Sequence, residues 1–210
     1  MLILKPDSVI RKYVGARVIK TILDQGYEIK AFVKLTPSKE FLAEEHYVEH
    51  KGRSFFNWLV DYMSMCDLYV MVLEGENVTG ELREILGNTF PEKADPSTIR
   101  GKYGIYGGVN VAHASDSSAS GEREVNLWSP IIEKYGVEES PIKYVEQYLS
   151  FPTVDVNLYR DVVRQYMEGQ IDAEEARLNF VFLLTKETDL PASLVIKLAD
   201  VIVTTIPKKS

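Results

Sequence analysis

Residues 110–117, with the sequence NVAHASDS, surround His113 with small and short polar side chains just after the glycines of GIYGG. One interpretation of such a lone histidine is a buried side chain that its neighbours satisfy. The other is a nucleophile that attacks phosphorus, which needs one free, neutral ring nitrogen while a partner holds the second nitrogen. Ser115, Asp116 and Glu124 are close enough along the chain to provide a hydroxyl or a carboxylate as that partner.

Side chains that could hold a phosphoryl group occur at several places along the chain. Phosphoryl transfer needs cations because the charge on the transferred oxygens must be neutralised while the reacting groups stay in line. Lys5 immediately follows the first predicted strand. Residues 88–108 are rich in Pro, Gly and Thr and are predicted to be a long loop, and loops of this length are usually functional. Arg83 precedes this loop, which contains Thr89 and Arg100.

Three other kinds of site lack support in the sequence. It contains neither a G-x-x-x-x-G-K-[ST] phosphate-binding loop nor a G-x-S-x-G nucleophile motif. Cys66 has no neighbouring base that would mark it as a nucleophile. His46 and His50 have the spacing of two metal ligands on one helix face, but H-E-x-x-H and an evident third ligand are missing. No metal site made of protein ligands alone is therefore predicted.

The composition indicates a globular protein that does not bind polyanions. Of its 210 residues, 45% are hydrophobic and 26% are charged, and the formal charge of −7 argues against a broad surface for nucleic acid or anionic membrane. Cys66 is the only cysteine, which excludes an intramolecular disulfide and favours a reducing compartment. No apolar run resembles a signal peptide or a membrane span, so we expect a cytoplasmic protein.

The first 130 residues alternate between strand and helix patterns. The predicted elements are a strand at 1–4, a helix from Arg11 to a cap at Gly26, a strand at 27–35, a helix to about His50, a short helix at 55–63, a strand at 67–75, a helix at 77–86, a strand at 109–112 and a helix at 120–128. This order predicts a ferredoxin-like α+β sandwich in which helices cover one face of an antiparallel sheet.

The pattern changes after residue 130, where about 80 residues with helical spacing begin. Helix-length segments lie near 141–150, 155–168, 172–186 and 191–205. We therefore divide the chain into a first domain, residues 1–130, and an all-helical extension, residues 131–210. The apolar segment 192–206 needs cover, either from its own helical bundle or from a neighbouring subunit.

Six segments resemble the motifs of one known family. NVAHASDS matches the N-x-x-H-x-S-D signature of nucleoside diphosphate kinases. Five further segments are similar to that family's other motifs, in its order and at its spacings: KPDSV at 5–9, HYVEHKGRSFF at 46–56, LREILGNTFP at 82–91, DPSTIRG at 95–101 and EREVNLW at 122–128. Together they cover nearly all of residues 1–130, and the resemblance does not extend to residues 131–210.

The resemblance implies a specific enzyme. It would transfer the γ-phosphoryl group of a nucleoside triphosphate to a nucleoside diphosphate by a ping-pong mechanism, through a phosphohistidine at His113. Ser115 and Glu124 would support the histidine, Lys5 would touch the terminal phosphate, and Tyr47 would lie near the histidine. Mg²⁺ would be held through the nucleotide phosphates, and the protein would be a homo-oligomer, a hexamer or a tetramer.

The resemblance also implies a nucleotide-binding site. Its residues are Lys5, Phe55, Leu59, Arg83, Thr89, Arg100 and Asn110. The two arginines and the threonine would hold the phosphates, the lysine and the asparagine would contact the sugar, and the two apolar side chains would clamp the base. Stacking and apolar packing imply broad base tolerance, because every base has a π-face.

Structural alternatives remain open at several of these positions. Phe55 and Leu59 could belong to the core, Arg83 could lie on a solvated helix face, and Thr89 could be a turn residue. Glu124 could form a plain surface pair.

Two functional alternatives also remain. One is a nucleotide-binding regulatory or scaffold module that docks a partner through the helical extension. The other is a relay that passes the phosphoryl group from the histidine to a protein. The sequence also departs from the family, since Ser54 replaces a proline and Gly107 replaces a larger apolar residue that often packs the base.

Overall fold

The computed structural model describes residues 1–207. Within them, a five-stranded sheet has the order β4-β1-β3-β2-β5, and every neighbouring pair is antiparallel. The strands are β1 (Leu2–Leu4), β2 (Glu28–Leu35), β3 (Leu68–Glu74), β4 (Ala112–Ala114) and β5 (Val137–Glu138). In the register of the sheet Ile3 lies opposite both Val70 and His113, so β1 lies between β3 and the edge strand β4, which carries the histidine.

Helices connect these strands in the predicted order. They are α1 (Pro6–Ile10), α2 (Lys12–Leu23), α3 (Lys39–Phe41), α4 (Phe56–Met63), α5 (Val78–Leu86), α6 (Ile99–Tyr103) and α7 (Ser118–Tyr135). The α+β class with an antiparallel, ferredoxin-like sheet is thereby confirmed. Apolar side chains are buried on both faces of the sheet, however, and not on one. Helices α2 and α5, together with Tyr144 of the extension, cover one face, whereas α4, Trp128 and the later helices of the extension cover the other.

Several predicted element boundaries were wrong. The helix expected up to His50 is divided into α3, a π-helical turn at Leu42–His46 and a 3₁₀ turn at Val48–His50. The loop expected at 88–108 contains α6 and a 3₁₀ turn at Pro91–Lys93. Helix α1 was not predicted, although a proline in the first helical turn is a favourable start signal.

The last helix of the first domain is longer than predicted. Helix α7 begins with a capping box between Ser117 and Ser120 and continues through Pro130 to Tyr135, seven residues beyond the expected end at Trp128. Proline lacks an N–H group, so the helix gives up one internal hydrogen bond there without ending. Strand β5 follows directly and pairs with β2.

Between residues 139 and 207 the extension has four helices, at the predicted places, and the strand β5 that precedes them was not predicted. The helices are α8 (Pro141–Tyr148), α9 (Val156–Met167), α10 (Ala173–Thr185) and α11 (Ala192–Thr205). Helix α8 packs on α2, α10 packs between α9 and α11, and α11 also contacts α1 and α4. The apolar segment 192–206 is therefore covered within its own chain. Among residues 1–207, no helix is both long and apolar enough to cross a membrane.

A buried ion pair joins the extension to the first domain. Glu187 is 0% exposed and accepts a hydrogen bond from Arg11 Nε at 2.8 Å. Two further side chains donate to the same carboxylate, the Tyr159 hydroxyl at 2.5 Å and the Thr153 hydroxyl at 2.9 Å. Lys12 N–H donates to the backbone carbonyl of Glu187 at 3.0 Å. Because a buried charge is costly unless it is paired and hydrogen-bonded, this network fixes the extension to the start of the chain.

Candidate active site

Strand β4 and helix α7 bring His113 and Glu124 together. Both oxygens of Glu124 lie close to His113 Nε2, at 3.1 Å and 3.0 Å. The Ser115 hydroxyl donates to Glu124 Oε2 at 2.6 Å, and this hydrogen bond holds the carboxylate in position. With Glu124 ionised, Nε2 carries the ring proton and donates it to the carboxylate. Nδ1 is then the ring nitrogen with an available lone pair.

The environment of Glu124 keeps its carboxylate ionised. The side chain is only 5% exposed, and burial by itself would raise its pKa. The hydrogen bond and charge of His113 and the hydrogen bond from Ser115 outweigh burial and lower the pKa of Glu124 to about 2. The glutamate therefore faces the histidine as an anion over the whole neutral pH range.

His46 lies next to this pair and is held in one tautomer. Its ring centroid is 5.2 Å from that of His113, and its Nδ1 accepts a hydrogen bond from Trp128 Nε1 at 3.1 Å. Burial, with a smaller contribution from His113, lowers the pKa of His46 to about 3, so the ring is neutral and Nε2 carries the proton. Nε2 has no hydrogen-bond partner among residues 1–207.

The His46, His113 and Glu124 side chains bring potential metal-ligand atoms within 4.8 Å of one another. With Nδ1 accepting from Trp128, however, the neutral His46 ring presents an N–H donor and not a lone pair at Nε2. A metal ion at this place would need the Trp128 hydrogen bond to break. The cluster therefore fits a hydrogen-bonding role better than metal coordination.

Lys5 and Asn110 form a buried polar pair next to the histidine. Lys5 Nζ donates to Asn110 Oδ1 at 2.7 Å and to the Gly108 carbonyl at 3.2 Å. Asn110 Nδ2 donates in turn to the Thr89 carbonyl at 2.7 Å. Burial, followed by the positive charge of Arg100, lowers the pKa of Lys5 to about 7. The amine is thus half charged near neutral pH, and a bound anion would favour its charged form.

The two arginines of the site have different environments. Arg100 is buried, and burial together with the charge of Arg83 lowers its pKa to about 10. Its guanidinium donates to three backbone carbonyls, those of Gly87 at 2.9 Å, Ala112 at 2.7 Å and Asn110 at 3.3 Å. Arg83 is exposed and forms an ion pair with Asp116. One arginine is therefore rigidly held, whereas the other is on the surface, paired with a single carboxylate.

Val111 has an unusual backbone conformation between Asn110 and His113. Its φ of 78° lies in the left-handed region, which is a genuine outlier for a β-branched residue and costs roughly 1–3 kcal/mol. Its N–H donates to Asp7 Oδ2 at 3.0 Å, and its carbonyl accepts from Lys5 N–H at 3.0 Å. Strand β4 begins directly after this residue, at Ala112–Ala114 and not at the predicted 109–112, and both Asn110 and His113 line one cavity.

That cavity has a volume of about 660 Å³. All predicted site residues except Ser115 line it: Lys5, Tyr47, Phe55, Leu59, Arg83, Thr89, Arg100, Asn110, His113 and Glu124. Phe55 is 46% exposed, so it is not a core residue, whereas Leu59 and Tyr47 are buried.

The sequence analysis did not predict several other lining residues. They include His46, Trp58, Tyr106, Thr205 and Pro207. His46 and Trp58 lie in or next to the quoted HYVEHKGRSFF motif, so their position was a usable signal. Thr205 and Pro207 belong to the extension, and no local pattern connects them to the site.

Comparison with known proteins shows the family of the chain. Residues 1–132 match the family model described as nucleoside diphosphate kinase. The chain belongs to the nucleoside diphosphate kinase family. A relative of that name from Methanococcus maripaludis is 47% identical over 125 residues, covering 60% of this chain and 92% of the relative. Another from Pelotomaculum thermopropionicum is 45% identical over 139 residues, covering 65% of this chain and 92% of the relative.

Solved structures of nucleoside diphosphate kinases are similar to the chain as well. The enzyme from Aquifex aeolicus has a TM-score of 0.55 and 35% identity, covering 60% of this chain and 90% of that one. The enzyme from Halobacterium salinarum, in complex with CDP, has a TM-score of 0.58 and 30% identity, covering 66% of this chain and 90% of that one. The predicted family and enzyme class, a nucleoside diphosphate kinase, are confirmed. The family model ends at residue 132, before the extension.

Proposed function

We propose that His113 carries a phosphoryl group from a nucleoside triphosphate to a nucleoside diphosphate in two half-reactions. The observation that carries this proposal is the pairing of His113 Nε2 with the ionised Glu124 at 3.0 Å, which leaves the lone pair of Nδ1 available. A neutral imidazole with one free nitrogen is the form that attacks phosphorus.

Each half-reaction balances without an external acid or base. In the first, the Nδ1 lone pair forms an N–P bond to the γ-phosphorus while the bond to the β,γ-bridging oxygen breaks, and the nucleoside diphosphate leaves with that electron pair. In the second, a terminal oxygen of the acceptor diphosphate attacks the phosphorus and the N–P bond breaks, which returns the lone pair to Nδ1. The donor's diphosphate leaves before the acceptor binds, so the kinetics are ping-pong.

Glu124 and Ser115 stabilise the phosphorylated state. Phosphorylation of Nδ1 with the proton still on Nε2 gives the ring a positive charge, and the buried carboxylate at 3.0 Å stabilises that charge. The Ser115 hydroxyl, 2.6 Å from Glu124 Oε2, keeps the carboxylate in position without competing for the histidine. Tyr47, which is buried and also lines the cavity, limits the space beside the ring.

The nucleotide is held by the remaining predicted residues. Arg83, Arg100 and Thr89 bind its phosphates, since phosphoryl transfer depends mainly on positioning and charge compensation. Lys5 and Asn110, joined by a 2.7 Å hydrogen bond, bind the terminal phosphate and the sugar hydroxyls.

The base lies at the apolar end of the site. Phe55 and Leu59 hold it by stacking and packing, and the partial exposure of Phe55 supports this role because a core phenylalanine would be inaccessible to a ligand.

The residues around the cavity fit Mg²⁺ bound through nucleotide phosphates. Mg²⁺ keeps several waters and is usually bound by one or two carboxylates together with substrate phosphates. Two of the carboxylates that line the cavity already pair with arginines, Asp116 with Arg83 and Glu49 with Arg123. A preformed cluster of free carboxylates is not found among the described lining residues. Mg²⁺ bound together with the nucleotide would neutralise the negative charge of the phosphates.

Labelling with γ-³²P-ATP and Mg²⁺, followed by a chase with unlabelled nucleoside diphosphate, tests this function. The wild type is expected to acquire an acid-labile, base-stable label that moves to the added diphosphate, and His113→Ala is expected to acquire none. Label that stays on the protein would favour the protein relay. Absence of label in the wild type would leave a nucleotide-binding module.

A homo-oligomer of four or six subunits, a cytoplasmic location and the division of the chain at residue 130 stay predictions.

A further inference from the structure

The helical extension reaches the nucleotide cavity of its own chain. Thr205, the last residue of α11, and Pro207 line the cavity together with Phe55, Trp58 and Gly107. Both lining residues lie far beyond the end of the family match at residue 132. A segment outside the kinase domain therefore forms part of the wall around the apolar side of the site.

Because Gly107 has no side chain, it leaves space in the cavity, and Thr205 lies at the edge of that space. The φ of 52° at Gly107 is in the left-handed region, and a Cβ added there would lie 3.7 Å from Thr205 Oγ1, at van der Waals distance. The threonine hydroxyl is thus in reach of whatever occupies the cavity next to Gly107. Thr205 Oγ1 makes no hydrogen bond within residues 1–207, so it is free to donate to or accept from a ligand.

Trp58 fixes α11 to the helix that holds the base-binding side chains. Its indole N–H donates to the Val201 carbonyl of α11 at 3.0 Å, and its ring stacks on Tyr62 at 5.1 Å. A side chain at Gly108 would come within 2.6 Å of the Trp58 ring, so the indole fills the space against the backbone. Helix α4 runs from Phe56 to Met63 and includes Leu59, so its position and that of Thr205 are coupled through one tryptophan.

The position and chemistry of Thr205 indicate which part of a bound nucleotide it contacts. The Thr205 side chain is neutral and carries one methyl and one hydroxyl group. Val201, one turn earlier in α11, accepts the hydrogen bond of Trp58, which precedes Leu59 in α4. The phosphates are drawn to the cations, so the part of a nucleotide that meets α11 is the base. A purine has a second ring and extends farther from the sugar than a pyrimidine does.

We infer that the carboxyl-terminal end of α11, through Thr205, is a base-contacting wall that favours purine over pyrimidine nucleotides. This inference rests on the proposed function and deepens it, because it assigns part of the base specificity to a segment outside the family match. Purines reach Thr205 and gain its contact, whereas the shorter pyrimidines bind without it.

Binding of ADP and of CDP to the full-length protein, measured by titration calorimetry, tests this inference without requiring phosphoryl transfer. Removing the threonine contact in Thr205→Ala is expected to weaken ADP binding by roughly fivefold, the value of one hydrogen bond, and CDP binding by less than twofold. Filling the space in Thr205→Trp is expected to weaken ADP binding by about tenfold and again affect CDP less.

Thr204→Trp is the matched control. Thr204 is the preceding residue, is exposed, does not line the cavity, and donates its hydroxyl to Val201 within the helix at 2.9 Å. It is expected to leave the ratio of the two dissociation constants unchanged. An unchanged ratio in both Thr205 variants, or equal losses for both nucleotides, would overturn the inference.

Conservative Thr205→Ser keeps the test usable if the tryptophan variant does not fold. It keeps the hydroxyl, so it is expected to retain most of the ADP preference that Thr205→Ala loses. The proposed function is judged separately by the phosphohistidine label, which depends on His113. A wild type that binds ADP more tightly than CDP through Thr205 but acquires no label would contradict the proposed function and support this inference.

Discussion

The Glu124 carboxylate lies 3.0 Å from Nε2 of His113, and this contact determines which nitrogen of the ring is free. The carboxylate is ionised at neutral pH because its interactions with His113, including a hydrogen bond, and the hydrogen bond from Ser115 lower its pKa to about 2 despite burial. The carboxylate therefore accepts a hydrogen bond from Nε2, and the ring proton stays on that nitrogen.

Glu124→Gln should slow phosphorylation of His113 by roughly 100-fold or more, as seen when a carboxylate that orients a catalytic histidine is replaced by an amide. The glutamine amide can donate to Nε2, which moves the ring proton to Nδ1 and removes the nucleophilic lone pair. Single-turnover quench experiments with labelled ATP measure this rate. Glu122→Gln, an exposed glutamate on the same helix, is the control. Equal rates for the wild type and Glu124→Gln would show that the carboxylate does not set the tautomer.

Nucleotide binding should be accompanied by proton uptake at Lys5. The pKa of Lys5 is lowered to about 7, so the amine is mostly neutral at pH 8 in the free protein. A phosphate anion favours the charged amine and raises its pKa, so binding takes up close to one proton at pH 8 and fewer below pH 7. Calorimetry of ADP binding in buffers with different ionisation enthalpies measures this number. Lys5→Met should abolish the uptake, and a wild type without it would contradict the lowered pKa.

His46 should remain neutral at pH values where an ordinary histidine is charged. Its pKa is lowered to about 3 by burial, so the unfolded chain binds more protons than the folded one below about pH 6.5. This site therefore reduces stability progressively as the pH falls from 6.5 towards 3.

The ¹⁵N resonances of the His46 ring should show no titration between pH 8 and pH 5, with the proton on Nε2. Trp128→Phe removes the donor to Nδ1 and should let the other tautomer become populated. A His46 titration near pH 6.5 in the wild type would disprove the assignment.

Glu187→Ala should destabilise the protein by about 3–5 kcal/mol, because it leaves the Arg11 guanidinium buried without its carboxylate partner. Glu174→Ala removes an exposed pair with Arg177 in the same extension and should cost no more than about 1 kcal/mol. Urea denaturation of both variants measures the free energy of unfolding. Similar losses for the two would mean that the Arg11–Glu187 pair does not anchor the extension.

Much of the site was predictable because its residues lie in short, ordered motifs. Lys5, Asn110 and His113 belong to segments whose residue types suit phosphate chemistry, and the sheet register then brings the ends of β1 and β4 together. The strand and helix periodicities also gave the order of elements in the first domain.

Local sequence could not reveal features that depend on distant contacts. A valine favours extended backbone, so the left-handed Val111 was not predictable, since it is stabilised by hydrogen bonds with Asp7 and Lys5. Glu187 looks like a surface residue in the sequence, and its burial depends on Arg11, which lies 176 residues earlier.

The position of Thr205 also depends on contacts with residues that are distant in the sequence. Thr205 ends an apolar helix whose pattern indicates burial but not which surface it meets. Its position at the cavity that His113 lines follows from the packing of α11 on α4, which only the folded structure shows.

The most direct measurement is the ³¹P NMR spectrum of the phosphorylated protein, prepared with ATP and Mg²⁺ and compared with reference Nδ1- and Nε2-phosphohistidine. The contact of Nε2 with Glu124 predicts a single phosphohistidine, on Nδ1 of His113, that disappears when a nucleoside diphosphate is added. A phosphoryl group on Nε2, or on any residue other than His113, would contradict the proposed role of this pair.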